Sequence, residues 1–198
     1  MRSKHFWLCT LVALTAVGAA PMVAVADDHD TCEQGTGAAA VAACSRAITA
    51  GTYSGYRLAH AYFVRGLDYQ TKGDLDRAIA DYTEAIRANP DGHWALAMVY
   101  TNRGNAWKAK GDIDRAIADF SEAIRANSKY SLAYNNRGVA WADKGDLDRA
   151  IADFGEAIRF DPKFARAYIN RGMAKRRKGD TVGGDVDIAT ARGLGIDP

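Results

Sequence analysis

The chain has 198 residues, of which 48% are hydrophobic and 25% charged, with 4 prolines and a formal net charge of +2. That length suits one domain or a short repeat array. The apolar content excludes an intrinsically disordered chain, and the near-neutral balance argues against the basic surface of a dedicated nucleic-acid binder.

Residues 1–26 read as an address rather than as part of a fold. Arg2 and Lys4 give a positive start, an apolar run extends from Phe6 to Ala20, and Ala24-Val25-Ala26 supplies small residues at a cleavage position. Those are the n-region, h-region and processing site of a secretory signal peptide. The run is short for a membrane span, which needs about 20 residues, so a retained N-terminal anchor is the alternative. Cleavage after Ala26 is expected, with a periplasmic or secreted product and no stable membrane span left. It removes two basic residues and no acid, leaving 24 basic and 24 acidic residues and no global field to steer an anionic partner.

Residues 27–58 form an N-terminal segment in which AAAVAACSRAI (38–48) has the apolar spacing of a helix. Cys9 falls inside the leader, so Cys32 and Cys44 remain. Export places them where a disulfide persists, and pairing would contribute roughly 3 kcal/mol in the chain-entropy picture. Their spacing fits neither a C-x-x-C redox motif nor a C-x-x-C-H haem site. A structural disulfide is the expectation, two free thiols the alternative.

Self-similarity then dominates. GDLDRAIADYTEAIRANP (73–90), GDIDRAIADFSEAIRANS (111–128) and GDLDRAIADFGEAIRFDP (145–162) are near copies, and each follows a segment containing R-G. Gly66, Gly104, Gly138 and Gly172 are spaced by 38, 34 and 34 residues. A sustained period near 34 marks a helix–turn–helix solenoid. Within the second unit, Lys110 suits a helix C-terminus and Gly111 the left-handed position after it. Asp112 can cap the next helix, which carries the stripe Ile113, Ala116, Ile117, Phe120, Ala123 and Ile124. Pro90 and Pro162 stop the corresponding helices, and Ser128 is a weaker stop. The units span 59–92, 97–130 and 131–164, and 93–96 is an insertion carrying Trp94 that either lengthens the next helix by about one turn or forms a bulged loop.

The recurring positions resemble the tetratricopeptide repeat (TPR) pattern of aromatic, Gly, aromatic, Ala, aromatic, Ala, Pro. They are Tyr62, Gly66, Tyr69, Ala78, Tyr82, Ala85 and Pro90; then Tyr100, Gly104, Trp107, Ala116, Phe120 and Ala123; then Tyr134, Gly138, Trp141, Ala150, Phe154, Ala157 and Pro162. The resemblance, nearest to short exported bacterial members, implies an all-α, right-handed α-solenoid of about three full repeats with degenerate units at both ends. Residues 165–198 read as a capping fourth repeat, with Lys175 in place of the aromatic and Gly184 in place of the alanine. The 38–48 helix reads as a second helix lacking its first, with Cys44 at the aromatic position.

In such proteins the first helices line a concave face that binds extended segments. Asn102, Asn136 and Asn170 recur there, with Asn105 and Asn135 nearby and Val64 at the equivalent place in the first repeat. This resembles an asparagine ladder for a peptide backbone, since each amide both donates and accepts; bonding to neighbouring protein groups is the other reading. Arg65, Arg103, Arg137 and Arg171 could grip an acidic peptide, but Asp81, Asp119 and Asp153 repeat with the same period and are the expected partners. The lysine and asparagine set of a carboxylate clamp is incomplete. The basic run Lys175–Lys178 suits a helix C-terminus, with an anionic surface as the alternative.

Histidines are few and scattered: His5, His29, His60 and His93. There is no H-E-x-x-H, P-loop or nucleophile-elbow motif. No enzyme activity, metal or cofactor is expected. The expected function is a non-catalytic scaffold or adaptor for a protein or peptide. A self-associating structural protein of the cell envelope is the alternative, and an enzyme with a dispersed site the third reading.

Overall fold

Four aspartates open four helices in the same way. The carboxylates of Asp74, Asp112, Asp146 and Asp180 accept the backbone N–H three residues on, at 3.2, 3.1, 3.0 and 2.9 Å, satisfying a donor that the first turn would otherwise leave orphaned. Before each stands a glycine in the left-handed region: Gly73, Gly111, Gly145 and Gly179, with φ from 79° to 99°. Gly111 N–H donates to the Lys108 carbonyl and Asp112 N–H to the Trp107 carbonyl. This 5→2, 6→1 pair is a Schellman motif, and it recurs at the three sister turns. A helix stop and a helix start are thus written in two adjacent residues.

A computed structural model describes residues 31–33, 37–89 and 95–196. The leader 1–26, Pro90, His93 and Trp94 lie outside the described residues. Residues 31–33 are helical. The longer helices are α1 (Gly37–Ala50), α2 (Gly55–Thr71), α3 (Leu75–Arg87), α4 (Leu96–Ala109), α5 (Ile113–Ala126), α6 (Ser131–Asp143), α7 (Leu147–Phe160), α8 (Ala165–Arg177) and α9 (Thr181–Gly193). No strand occurs among the described residues, and no helix there is long and apolar enough to cross a membrane. The molecule is an all-α solenoid of helix pairs: α2 with α3, α4 with α5, α6 with α7, α8 with α9.

Each helix packs on the next in sequence. First helices of successive repeats also meet (α2 with α4, α4 with α6, α6 with α8), whereas successive second helices do not. A stack that is tight along one edge and open along the other must curve, so the first helices line the inner face.

Within a pair, an absent side chain sets the spacing. Gly66 faces the ring of Tyr82, and Gly104 and Gly138 face Phe120 and Phe154, all three rings being buried. In the fourth pair Gly172 and Gly184 face one another directly, a Cβ on either lying 2.7 Å from the other's carbonyl oxygen. Gly184 is therefore more than a degenerate alanine, because it lets α8 and α9 approach backbone to backbone.

Three expectations are revised. The insertion does not add a turn: α4 starts at Leu96, one residue before the sister positions of Ser131 and Ala165, and Ala95 has φ 31°. α2, not α4, is the extended first helix, with 17 residues against 13 in α6 and α8. Ser128 is no weaker a stop than Pro162. α5 and α7 end at equivalent residues, and in both an acceptor side chain closes the turn, Asn127 to Lys129 N–H at 3.0 Å and Asp161 to Lys163 N–H at 3.1 Å.

The two ends differ. At the N-terminus a disulfide joins Cys32 to Cys44, with Cα atoms 4.9 Å apart, in a buried cluster with Ala43, Ala47, Tyr53 and Ala61. At the C-terminus α9 changes most of the residues that seat a following repeat, Ala191 keeping the alanine of Ala123. In α5, Ile113 and Ile117 pack with Ala140 and Trp141, and Ile124 packs with Tyr130 and Ala133. Asp114 pairs with Lys144, and Ser121 accepts from Arg137. The α9 counterparts are Thr181, Asp185 and Arg192 for the isoleucines, and Val182 and Ala189 for the polar pair. The apolar seats have become polar, which suits the polar outer face of a terminal unit, while the polar partners have become apolar, with Val182 77% exposed.

Candidate peptide-binding face

The asparagines expected on the first helices are brought together, and they bond mainly to one another. Asn170 Nδ2 donates to Asn135 Oδ1 at 2.8 Å, Asn135 Nδ2 to Asn136 Oδ1 at 3.2 Å, and Asn136 Nδ2 to Asn105 Oδ1 at 3.0 Å. This chain of amides links α8, α6 and α4. Asn102 stands apart, donating to the Met98 carbonyl one turn back at 2.9 Å.

Exposure separates their roles. Asn135 is 2% exposed. Both ends of its amide are used, so it does not reach a ligand and leaves the predicted binding set. Asn102, Asn105, Asn136 and Asn170 are half-buried. Each keeps hydrogen-bonding capacity toward the inner face, because an amide has two N–H groups and a carbonyl with two lone pairs. Mutual bonding holds the Asn105, Asn136 and Asn170 side chains in place.

The repeated arginines are committed within the fold. Arg65, Arg103, Arg137 and Arg171 each fork onto the aspartate 16 residues on, Asp81, Asp119, Asp153 and Asp187, through pairs of bonds at 2.7–2.8 Å. Hydrogen bonding to the carboxylates raises the Arg65, Arg137 and Arg171 guanidinium groups above their ordinary value. Each guanidinium also lies over a tyrosine three residues back, 5.5–5.7 Å from the ring centroids of Tyr62, Tyr100, Tyr134 and Tyr168. The remaining donor ties repeats together. Arg103 Nη1 bonds Thr83 Oγ1 at 3.0 Å and Arg137 Nη1 bonds Ser121 Oγ at 3.1 Å. At the equivalent place before Arg171 stands Gly155.

The basic run is similarly engaged. Lys175 bonds Asp187 at 2.9 Å, Arg176 pairs with Asp185, and Lys178 with Asp148 of the preceding repeat. Asp187 feels two opposed effects. Burial alone would raise its pKa, but the hydrogen bonds from Arg171 and Lys175 outweigh it and hold the carboxyl below the usual aspartate range. Lys110 and Lys144 bridge to Asp76 and Asp114 in the same manner as Lys178 to Asp148.

Sequence reasoning missed two features. The hydroxyls of Thr83 and Ser121 act as struts between repeats, and their periodic spacing was a usable signal. Leu67, Leu132 and Met173 are exposed on first helices, and their i+3 and i−4 offsets from the ladder positions Val64, Asn136 and Asn170 would have placed them on the same face. Among the described residues no group of three or more His, Cys, Asp and Glu is gathered that could hold a metal ion.

Tetratricopeptide repeat models match residues 59–91, 101–163 and 142–182, more than half of the chain and in register with the helix pairs. The chain belongs to the tetratricopeptide repeat family. Solved TPR arrays share its fold. A MamA crystal structure is 22% identical with a TM-score of 0.71, covering 86% of this chain and 91% of its own. YrrB, described as a TPR protein with an unusual peptide-binding site, is 21% identical with a TM-score of 0.62, covering 78% and 76%. The first TPR domain of Spaghetti (RPAP3), solved with the HSP90 peptide SRMEEVD, is 24% identical with a TM-score of 0.59, covering 64% of this TPR chain and 97% of its own. No curated protein gives a significant match to the sequence.

Proposed function

We propose that this TPR protein is a non-catalytic scaffold that holds an extended protein segment on the inner face of its solenoid. The observation that carries the reading is the amide chain from Asn105 to Asn170 across three consecutive first helices. Such a row offers donors and acceptors at intervals along a groove, which suits a peptide main chain. The peptide bound by the RPAP3 domain supports the same use of the fold. The committed arginines speak against an acidic segment gripped by a row of guanidinium groups. The leader-like residues 1–26 and the buried Cys32–Cys44 disulfide support an exported, oxidising location. A fusion of residues 1–26 to a reporter active only after export tests that location, and retention in the cytoplasm overturns it.

The binding reading is tested by panning a random peptide display library against the purified full-length chain and measuring Kd for the recovered peptides. Asn102→Ala is expected to weaken binding with little change in melting temperature, and Asn105→Ala to weaken it with a modest fall, because Asn136 Nδ2 loses its acceptor. Recovery of no peptide, or an unchanged Kd in both variants, removes the reading.

A further inference from the structure

The asparagines read a main chain and leave open which side chains the groove prefers. Three of the exposed large hydrophobic residues share this face. Leu132 is one turn before Asn136 on α6, and Met173 is one turn after Asn170 on α8. Leu67 on α2 occupies the place that Asn105 takes on α4. They are 38%, 54% and 36% exposed. The two helix offsets put each beside its asparagine, and the contacts between successive first helices make the faces continuous. The bond from Asn136 to Asn105 fixes how these positions adjoin, because the residue after the repeat glycine meets the residue two before the next one. Leu67 therefore borders the site of Asn102, and Val139, at the place of Asn105, borders Asn170.

Charge on the face is largely cancelled internally. Lys108, one turn beyond Asn105, pairs with Asp143 at 3.0 Å, and Arg176, one turn beyond Met173, pairs with Asp185. The four repeated arginines are forked onto aspartates. Among the described residues, Arg166 and Arg177 are the cations on this line that pair with no carboxylate, Arg177 donating instead to the Ala142 carbonyl, and both lie on the last first helix only. A groove that offers amides and apolar side chains, with its cations spent, complements an uncharged, apolar segment.

We infer that the occupant is an extended, uncharged peptide whose apolar side chains seat against Leu67, Leu132 and Met173, with its main chain held by the neighbouring asparagines. This rests on the binding reading above. The segment is internal, because the face has no row of free cations for a terminal carboxylate. A binding energy made of buried apolar area and amide bonds is insensitive to salt, unlike one made of exposed charges.

The test uses peptides recovered by panning the full-length chain. Their sequences are expected to be enriched in Leu, Ile, Val, Met and Phe and depleted in Asp and Glu. Affinity should be unchanged on C-terminal amidation and alter less than about twofold between low and high salt. Leu132→Ala with Met173→Ala should weaken binding about tenfold or more. Both side chains are exposed, so the melting temperature is the control for folding. Acidic enrichment, steep salt dependence, loss of binding on amidation, or an unchanged Kd in the double variant overturns the inference. Peptides that depend on Asn102 but not on Leu132 and Met173 leave the scaffold reading standing without it. Peptides that depend on neither remove both.

Discussion

A Cβ built on Gly104 lies 2.7 Å from Cε1 of Phe120, and Gly138 stands in the same relation to Phe154. No real Cβ tolerates that approach, and the ring cannot retreat because Phe120 is fully buried. Alanine would raise helix propensity by up to about 1 kcal/mol. The overpacking penalty of roughly 1–3 kcal/mol runs the other way. Gly104→Ala is expected to destabilise by about 1–2 kcal/mol net, read from urea unfolding. A variant as stable as the parent would mean that the helix pair spreads freely.

Gly155 offers the opposite experiment. It is the third member of a series in which Thr83 and Ser121 each accept a hydrogen bond from the arginine of the next repeat. Arg171 Nη1 lies 3.9 Å from where a Cβ would stand, and nothing else is within 4 Å. Gly155→Ser fills open space, adds a strut and removes a helical glycine. It should stabilise by roughly 0.5–1.5 kcal/mol, with Gly155→Ala giving only the propensity share. Equal gains for both substitutions would show that the hydroxyl contributes nothing.

Asn135 and Asn102 should behave as opposites although both occupy first helices of the ladder. Asn135→Ala removes the acceptor of Asn170 Nδ2 and the donor to Asn136 Oδ1 from a fully used, buried amide and is expected to cost about 1–2 kcal/mol. Asn102→Ala removes only a bond to its own helix and should stay within roughly 0.5 kcal/mol. Thermal unfolding of the two variants decides the order, and the reverse order would contradict the assigned roles.

Acid should loosen the C-terminal end. The folded pKa of Asp187 is depressed, so its contribution is present above the unfolded value and is lost as pH falls through the folded one. Asp74 and Asp146 are depressed too, Asp74 through the Arg77 side chain and then its backbone N–H, Asp146 through the Arg149 backbone N–H and then its side chain. Stability is therefore expected to be flat from pH 7 to about 5 and to fall below about 4. Asp187→Asn should flatten that fall while lowering stability at neutral pH. An unchanged acid limb in the variant would assign the loss to other carboxylates.

Legibility followed what repeats. The helix pairs, their Gly-Asp turns and the Arg–Asp forks could be read because each recurs with one period and each rests on local chemistry or on two residues that recur together. The asparagines show where that stops. Asn135 and Asn136 are adjacent and alike in sequence, yet one is buried and the other half-exposed. The difference comes from the seam between α4, α6 and α8, which one helix does not encode. Of the two readings of the insertion, the added turn fell for a related reason. Nothing in its composition announces that Ala95 adopts left-handed backbone and that α4 starts only at Leu96. The extended start of α2 was missed because it has no sister to be compared with.

The inverted polarity of α9 has a consequence for how such a protein changes over time. Since the differences from an interior unit sit in Thr181, Val182, Asp185, Ala189 and Arg192, an ancestral chain could gain or lose a whole interior unit by recombination at any Gly-Asp turn and still carry the same last helix pair. The units that set the length of the inner face and the distinct last pair are separate pieces of sequence, and selection can adjust the first without disturbing the second.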